Sequence, residues 1–455
     1  MSLSVITDRG ERLCSEEFDN ELLEFGKHIE KRSLMFCLCK NELGSLVGYL
    51  GAMKNKVVPV MLDAAKDSAL MKHLLDIYRP NYIWAPRDSI VVYGQPCYTA
   101  YEYALYKYDD RPAKLNDDLA LLLTTSGSTG SPKLVRLSYE NILSNAESIA
   151  EYLHIDENER PVSSLPMHYS FGLSVINSHY VKGATLLLTN QPVIQKKFWE
   201  FIQEEKATSM AGVPFTYEML RRLKIFQMNL PYMKTMIQAG GKLEVQLVQE
   251  YVDHCLQCGK EFIVMYGQTE ASPRMSYLPW KYAKAKPASI GIAIPNGKFS
   301  LIDAHDKEIT KPDIDGELIY EGPNVCLGYA ECREDLQKGD ENQGILHTGD
   351  VARRDADGFY YITGRMKRFV KLFGNRVNLD ATEQLLKSVT LDVACVGVDD
   401  KLTTFITDAS KLKSVKKTLV QKTGLNLRAF DVRVIDTIPK KSSGKLDYTM
   451  LKEML

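Results

Sequence analysis

The sequence predicts an α/β protein: a large N-terminal domain of helix-covered sheets with a β-rich subdomain, followed by a small α+β C-terminal domain. Three observations predict this. Between residues 35 and 85 short apolar runs alternate with amphipathic stretches, the strand–helix–strand rhythm of a parallel sheet covered on both faces. From Ile290 to about residue 360 short strands are separated by Gly, Asn, Pro and Asp turns, as in Gly316-Glu317-Leu318-Ile319-Tyr320-Glu321-Gly322-Pro323. Beyond that, 366–455 alternates lysine-rich helices with short strands, a size suited to a separate small domain. The expected division is therefore 1–365 and 366–455.

Composition sets the outer limits. At 455 residues, 45% hydrophobic and 25% charged, the chain has the make-up of a soluble globular enzyme with several sizeable cores. A formal net charge of −1 gives no general attraction to nucleic acid or to an anionic membrane surface. No apolar run reaches the ~20 residues a membrane span needs, and no signal peptide is recognisable. Nine scattered cysteines, an odd number, suggest reduced thiols. A cytoplasmic location is expected. Cys255 and Cys258 form a CxxC, but no second pair accompanies them, and they end a helix-like run from Glu244, so a metal or redox role is not expected.

In chain order, Phe18, Leu22, Leu23, Phe25 and Ile29 mark a first helix. Met35–Cys39 reads as a strand, Leu43–Met53 as a helix, Val57–Leu62 as a strand, Ser68–Tyr78 as a helix and Tyr82–Ala85 as a strand. The apolar run Leu119–Leu123 is a further strand, and it opens into Thr124-Thr125-Ser126-Gly127-Ser128-Thr129-Gly130-Ser131-Pro132-Lys133. Everything in that loop is Gly, Ser, Thr, Pro or Lys. It offers short donors, backbone N–H groups with little side chain in the way, and one cation, which suits a polyphosphate. It is not a Walker loop, because Pro132 precedes Lys133 and Leu-Val-Arg follows. Taken alone it also fits an ordinary surface loop.

Ser138 then fits an N-cap, with Ile142, Leu143, Ala146, Ile149, Ala150 and Leu153 as a helical stripe. Val162–Met167 reads as a strand leading into His168-Tyr169-Ser170-Phe171, a polar and aromatic cluster in the place where parallel sheets hold ligands. A buried, satisfied histidine among core aromatics fits equally well. Met236–Ala239 runs into Gly240-Gly241-Lys242, where two glycines let a flat ring approach the backbone. Phe262–Met265 runs into Tyr266-Gly267-Gln268-Thr269-Glu270, an aromatic, a hydroxyl and a carboxylate able to stack a base, touch a phosphate and hold Mg²⁺.

Taken together, six segments in order resemble the AMP-forming acyl-adenylate ligases: acyl-CoA synthetases, luciferases and peptide-synthetase adenylation domains. They are TTSGSTGSPK at 124–133, YGQTE at 266–270, GELIYEGPNVCLGY at 316–329, HTGD at 347–350, YYITGRMKRFVKLFGNRV at 360–377 and SSGKLD at 442–447. The resemblance implies ATP, Mg²⁺ and a thiol acceptor, CoA or phosphopantetheine on a carrier protein, with a small carboxylic acid as substrate. It implies that Thr125, Ser126, Gly127, Ser128 and Thr129 hold the β- and γ-phosphates with Lys133. Gly240, Gly241 and Lys242 would border the adenine, Tyr266 would stack on it, and Gly267, Gln268 and Thr269 would run past the α-phosphate. Glu270 would hold the metal, Asp350 the ribose hydroxyls, and Ile362 and Arg365 would stand near ribose and phosphate. Lys367 matches the hinge of a rotating small domain. Lys445 matches the lysine presented for adenylation, and Lys371 begins the loop presented for thioester formation.

By the same resemblance, His168, Tyr169, Ser170 and Phe171 line the acyl pocket. Ser170 stands where amino-acid-activating relatives carry an aspartate for the substrate ammonium, which argues against an α-amino acid. The small domain looks trimmed at Val396–Leu402, on a surface that in relatives often faces the thiol donor. An ATPase or kinase transferring the γ-phosphate would instead yield ADP or phosphate. A silent binding relative fits poorly with the joint presence of Lys133, Glu270, Asp350, Arg365 and Lys445.

Overall fold

Strand Leu34–Cys39 has no exposed residue, and its alternation divides two cores. Leu34, Phe36 and Leu38 pack with Met71, Leu74, Leu75 and Tyr78 of helix Ser68–Tyr78. Met35, Cys37 and Cys39 pack with Phe18, Leu22 and Phe25 of helix Ser15–Lys27 and with Leu46, Val47 and Leu50 of helix Leu43–Lys54. A strand covered on both faces loses the polar–apolar alternation of a half-exposed one, which is why it reads as a continuous apolar run. The computed structural model describes residues 3–65, 68–89, 94–124, 133–366, 368–372, 375–398, 400–423, 425–440 and 446–455. Its described residues form two compact units, Met1–Lys298 with Tyr320–Leu346, and Phe299–Ile319 with His347–Leu455.

The first unit holds two large sheets. One has eight strands in the order Gly328–Ala330, Leu134–Ser138, Leu119–Thr124, Val58–Asp63, Leu34–Cys39, Tyr82–Pro86, Tyr103–Lys107 and Tyr98–Ala100. Its centre is parallel and its edges are antiparallel. The other has nine strands, from Ile292–Ala293 through Arg274–Tyr277, Glu261–Gly267, Thr235–Gln238, Ser209–Gly212, Pro161–Ser163, Thr185–Leu188 and Ser4–Thr7 to Arg12–Leu13. Helix Tyr139–Tyr152 starts at the expected Ser138, whose hydroxyl accepts from Asn141 N while the Asn141 side chain answers Ser138 N.

One stretch differs from expectation. The strand read at Val162–Met167 is only Pro161–Ser163, and Ser170 and Phe171 open a helix, Ser170–Tyr180, instead of lying in a loop. Every residue of that helix from Ser170 to His179 is buried. A helix covered all round has no apolar stripe, so no helical period marks it in the sequence.

Strands Lys298–Ile302, Gly316–Glu321, Ile345–Arg354 and Tyr360–Arg365, most of whose residues belong to the second unit, form a four-stranded sheet in that order. Strands Val393–Val398, Lys401–Ile406 and Phe430–Val434 form a three-stranded sheet, and Leu386, Val415, Leu419 and Phe430 pack beside it with helices Leu379–Leu386 and Leu412–Thr423. Val398 pairs directly with Lys401, in line with the shortened Val396–Leu402 segment. Among the described residues, no helix is long and apolar enough to cross a membrane.

A buried cation joins distant parts of the first unit. Arg136, on Leu134–Ser138, is 0% exposed. Its Nε donates to Tyr329 O (3.0 Å), Nη1 to the Lys338 and Gly339 carbonyls, and Nη2 to Leu327 O (2.9 Å) and Glu341 Oε2 (2.6 Å). These bonds hold Gly328–Ala330 beside Leu134–Ser138, in the register Tyr329 opposite Val135. Arg136→Leu removes every one of these bonds, leaving the carbonyls of Leu327 and Tyr329 without them inside the fold, and is expected to lower stability by about 3 kcal/mol. Urea unfolding at matched m-values measures this, and a loss under about 1 kcal/mol would show that the clamp is dispensable.

Candidate active site

Four strand ends and one helix start supply the candidate residues in the first unit. Lys133 is the residue before strand Leu134–Ser138, and Tyr329 lies on the neighbouring strand Gly328–Ala330. The Lys133 ammonium stands 3.7 Å from the centre of the Tyr329 ring and 3.8 Å from Glu331 Oε1. The Tyr329 hydroxyl donates to Glu270 Oε1 at 2.9 Å, and Cys326 N donates to Glu270 O at 2.8 Å. Burial and the Glu270 carboxylate push the Tyr329 hydroxyl up from its ordinary value, so it stays protonated and donates. A lysine, a tyrosine and a glutamate thus form one continuous line. Glu270 leaves Oε2 without a hydrogen-bond partner among the described residues. One open carboxylate oxygen suits Mg²⁺, which takes one or two protein carboxylates and completes its shell with phosphate and water. No group of three or more metal-ligating side chains occurs among the described residues.

Thr269 opens a short 3₁₀ turn, Thr269–Ala271, directly after strand Glu261–Gly267. Its hydroxyl is 3.0 Å from Ser170 Oγ, at the first turn of the buried helix. Gly267 is required there, since a Cβ would fall 1.9 Å from Pro273 O. That carbonyl also accepts from Gln268 N at 2.9 Å, and the Gln268 amide lies 3.4 Å from the Tyr266 hydroxyl. Gly240 has φ +82, and a Cβ on it would lie 2.7 Å from the Tyr169 hydroxyl. Gln238 Nε2 donates to Gly241 O at 2.9 Å and steadies this turn, while Lys242 is exposed. Tyr169 meets Phe171 edge to face at 6.3 Å. His168 Nε2 stands 3.9 Å from Asp63 Oδ2.

The second unit carries its own pair. Asp350 is 3% exposed and sits opposite Arg365 in the sheet, with Arg365 Nε donating to Asp350 Oδ1 at 3.0 Å. Thr348 Oγ1 accepts from Asp350 N at 3.1 Å and donates to Leu318 O at 2.7 Å. Ile362 lies on the same strand as Arg365, Tyr360–Arg365. Lys371 lies on strand Phe369–Leu372, in register with Arg376. Thr125, Ser126, Gly127, Ser128, Thr129, Lys367 and Lys445 lie outside the described residues.

The structure thus brings together Lys133 and Glu270 through Tyr329, Thr269 with Ser170, Gly240 with Tyr169, and Asp350 with Arg365. Tyr329 was visible only as the end of a motif, with no role attached. Arg368 was not singled out either. It lies 3.6 Å over the Tyr448 ring and pairs with Asp380 and Glu383, and no spacing signal connects residues so far apart. Cys255 is buried and Cys258 is exposed with Sγ 3.7 Å from His254 Nε2, so the two cysteines face different surroundings.

The sequence profile of the AMP-binding enzymes matches residues 17–330, a stretch that contains Lys133, Gly240, Tyr266, Glu270 and Tyr329. The chain belongs to that family. This AMP-binding enzyme is 33% identical over 298 residues to a long-chain-fatty-acid–CoA ligase of Salmonella typhimurium, covering 63% of this chain and 52% of the relative. It is 25% identical over 358 residues to the luciferin 4-monooxygenase of Luciola mingrelica, covering 74% and 64%. It therefore spans about half the length of the first of these curated relatives. Among solved structures, o-succinylbenzoate CoA synthetase of Bacillus subtilis in complex with its acyl-adenylate intermediate has a TM-score of 0.80 at 20% identity, over 99% of this chain and 95% of that one. That likeness is one of fold, and it agrees with the α/β architecture expected from the sequence.

His179, fully buried on the helix that Ser170 opens, has its ring held by Nδ1 at 2.7 Å from Val175 O. Burial pulls it down to about 4 from an ordinary value near 6.5. Between those two values the unfolded chain binds a proton that the folded chain does not, so stability falls as pH drops from 6.5 toward 4. The expected loss between pH 6.5 and pH 5 is about 1.5 kcal/mol from this group. Urea unfolding at both pH values should show a shallower pH slope in His179→Gln than in the parent, and parallel slopes would contradict it.

Proposed function

We propose that this AMP-binding enzyme activates a carboxylic acid as its acyl-adenylate, releasing pyrophosphate from ATP, and then passes the acyl group to a thiol, CoA in the first instance. The observation that carries the reading is the line Lys133–Tyr329–Glu270 at the strand ends, with the Thr269 hydroxyl adjoining it in sequence. The name of the Salmonella typhimurium relative, a CoA ligase, supports CoA as acceptor. A carrier-protein phosphopantetheine is the alternative acceptor, and it remains compatible with the direct pairing of Val398 with Lys401.

The first step joins two anions, an ionised carboxylate and a polyphosphate. No general base is needed, because the carboxylate is already deprotonated at neutral pH. What the residues must supply is opposite charge and placement. Lys133 and the loop 125–129 would take the outer phosphates, and Thr269 would donate to the α-phosphate. Tyr266 would stack on adenine against the Gly240–Gly241 turn, where the absence of side chains allows close approach. Glu270, held by Tyr329, would be the protein ligand of Mg²⁺, whose contribution is charge neutralisation at the phosphates. Asp350 would accept from the ribose hydroxyls, a role that suits an acceptor-only group, with Arg365 beside it and Ile362 on the same strand. His168, Tyr169, Ser170 and Phe171 would border the acyl group. Residues 366–455 would turn about Lys367, presenting Lys445 for adenylation and Lys371 for thioester formation.

Pyrophosphate release against a panel of aliphatic, aryl and amino acids, with and without CoA, tests the reading. AMP and pyrophosphate are the expected products, and ADP or phosphate would refute it. Glu270→Gln should lower Mg²⁺-dependent pyrophosphate release by about two orders of magnitude; near-normal release at limiting Mg²⁺ would remove Glu270 from the metal site. The two half-reactions should also separate by residue. Lys445→Ala should abolish acyl-adenylate formation yet convert supplied acyl-adenylate to thioester, and Lys371→Ala should do the reverse. Equal loss of both steps in Lys445→Ala would contradict the rotation about Lys367.

A further inference from the structure

Among the described residues, Arg274 is a buried cation with no carboxylate partner. It begins strand Arg274–Tyr277, opposite Gly267 in the register, and is 3% exposed. Its guanidinium lies 4.0 Å over the Phe171 ring, and Nε is 3.2 Å from Met265 Sδ. The hydroxyls of Tyr152 and Tyr169 are its polar neighbours, and burial pulls it down from its ordinary value. No carboxylate pairs with it among the described residues. The contrast with Arg136 is direct, since that guanidinium is answered by carbonyls and a glutamate on every nitrogen.

Arg274 lines a small cavity with Ile149, Leu153, Val175, Ile237 and Met265. The other polar groups on that wall are already engaged with their own helix. Ser174 Oγ donates to Phe171 O at 2.7 Å, Ser178 Oγ to Val175 O at 3.2 Å, and His179 Nδ1 is 2.7 Å from Val175 O. A guanidinium without a carboxylate among these neighbours suits an acidic group carried on an apolar stem, because burying a cation without a charged partner is costly and a bidentate anion removes that cost. A ring contact links Arg274 itself to the proposed reaction centre. Phe171, which carries Arg274 on its face, follows Ser170, whose hydroxyl meets Thr269.

We propose that the activated acid carries a second anionic group at its far end, a carboxylate in the simplest case, and that Arg274 is the specificity-determining residue that binds it. The enzyme thus takes one carboxylate of a diacid for adenylation and holds the other on Arg274, in preference to a plain fatty acid. The inference rests on the acid-activation reading above and goes further in naming the substrate class.

The test compares linear dicarboxylates with monocarboxylates of the same chain length, from short to medium, by pyrophosphate release in the full chain. The best dicarboxylate should exceed its matched monoacid at least tenfold in kcat/KM. Arg274→Met, which keeps length and apolar bulk, should lower that dicarboxylate's kcat/KM at least fiftyfold and raise the monoacid's, reversing the preference. Arg274→Lys should retain a part of the dicarboxylate preference. Binding provides an independent measurement for any variant that folds poorly. On the parent protein, a non-hydrolysable acyl-sulfamoyl adenosine ending in carboxylate should raise Tm more than its methyl-ended twin. A monoacid preference in the parent, equal Tm shifts from the two analogues, or an Arg274→Met that slows both series alike would each overturn the proposal and make Arg274 a packing residue. If no acid of either series releases pyrophosphate, the acid-activation reading itself falls and takes this inference with it. Turnover of monoacids alone would instead leave that reading standing and remove only the second anion.

Discussion

Arg136 has no access to water, so each of its N–H groups has to be answered from inside the protein. The carbonyls of Leu327, Tyr329, Lys338 and Gly339, with the Glu341 carboxylate, do so. Because those groups come from a segment about two hundred residues further along the chain, the guanidinium fixes where that segment runs. The strand Gly328–Ala330 is thereby laid against Leu134–Ser138, and Tyr329 falls between Lys133 and Glu270. The candidate site inherits its geometry from an ion that touches no proposed substrate atom.

Two buried arginines in one unit then serve different ends. The surroundings of Arg136 are saturated with acceptors, as expected of a structural cation. Those of Arg274 are a ring face, a thioether and two tyrosine hydroxyls. The first kind of environment stabilises one arrangement of the chain. The second leaves charge available to a ligand, and its position, across the sheet from Gly267 and beside Phe171, links that charge to the strand ends where the motif residues gather.

Much of this was legible in the sequence where local physics dominates. Strands covered on both faces appear as apolar runs, as at Leu34–Cys39, and amphipathic helices as stripes, as at Ser15–Lys27 and Ser68–Tyr78. The cap at Ser138 was equally readable, because a hydroxyl before a helical stripe has a local cause. The helix Ser170–Tyr180 was not, since burial on all sides erases its period. Nor was the four-residue strand Ser4–Thr7, which depends on pairing with Thr185–Leu188.

The sequence by itself determined the family, the α/β class and the order of the motif residues, because each motif is a short stretch whose chemistry is contained in its own residue types. Only the tertiary structure decided which of those stretches meet. That Tyr329 bridges Lys133 and Glu270, that Ser170 reaches Thr269, and that Arg274 is buried without a carboxylate among the described residues all follow from contacts between segments far apart in the chain. In sequence Arg136 and Arg274 are each one basic residue on a short strand. Burial and the acceptors around them distinguish the two, and both are properties of the folded interior.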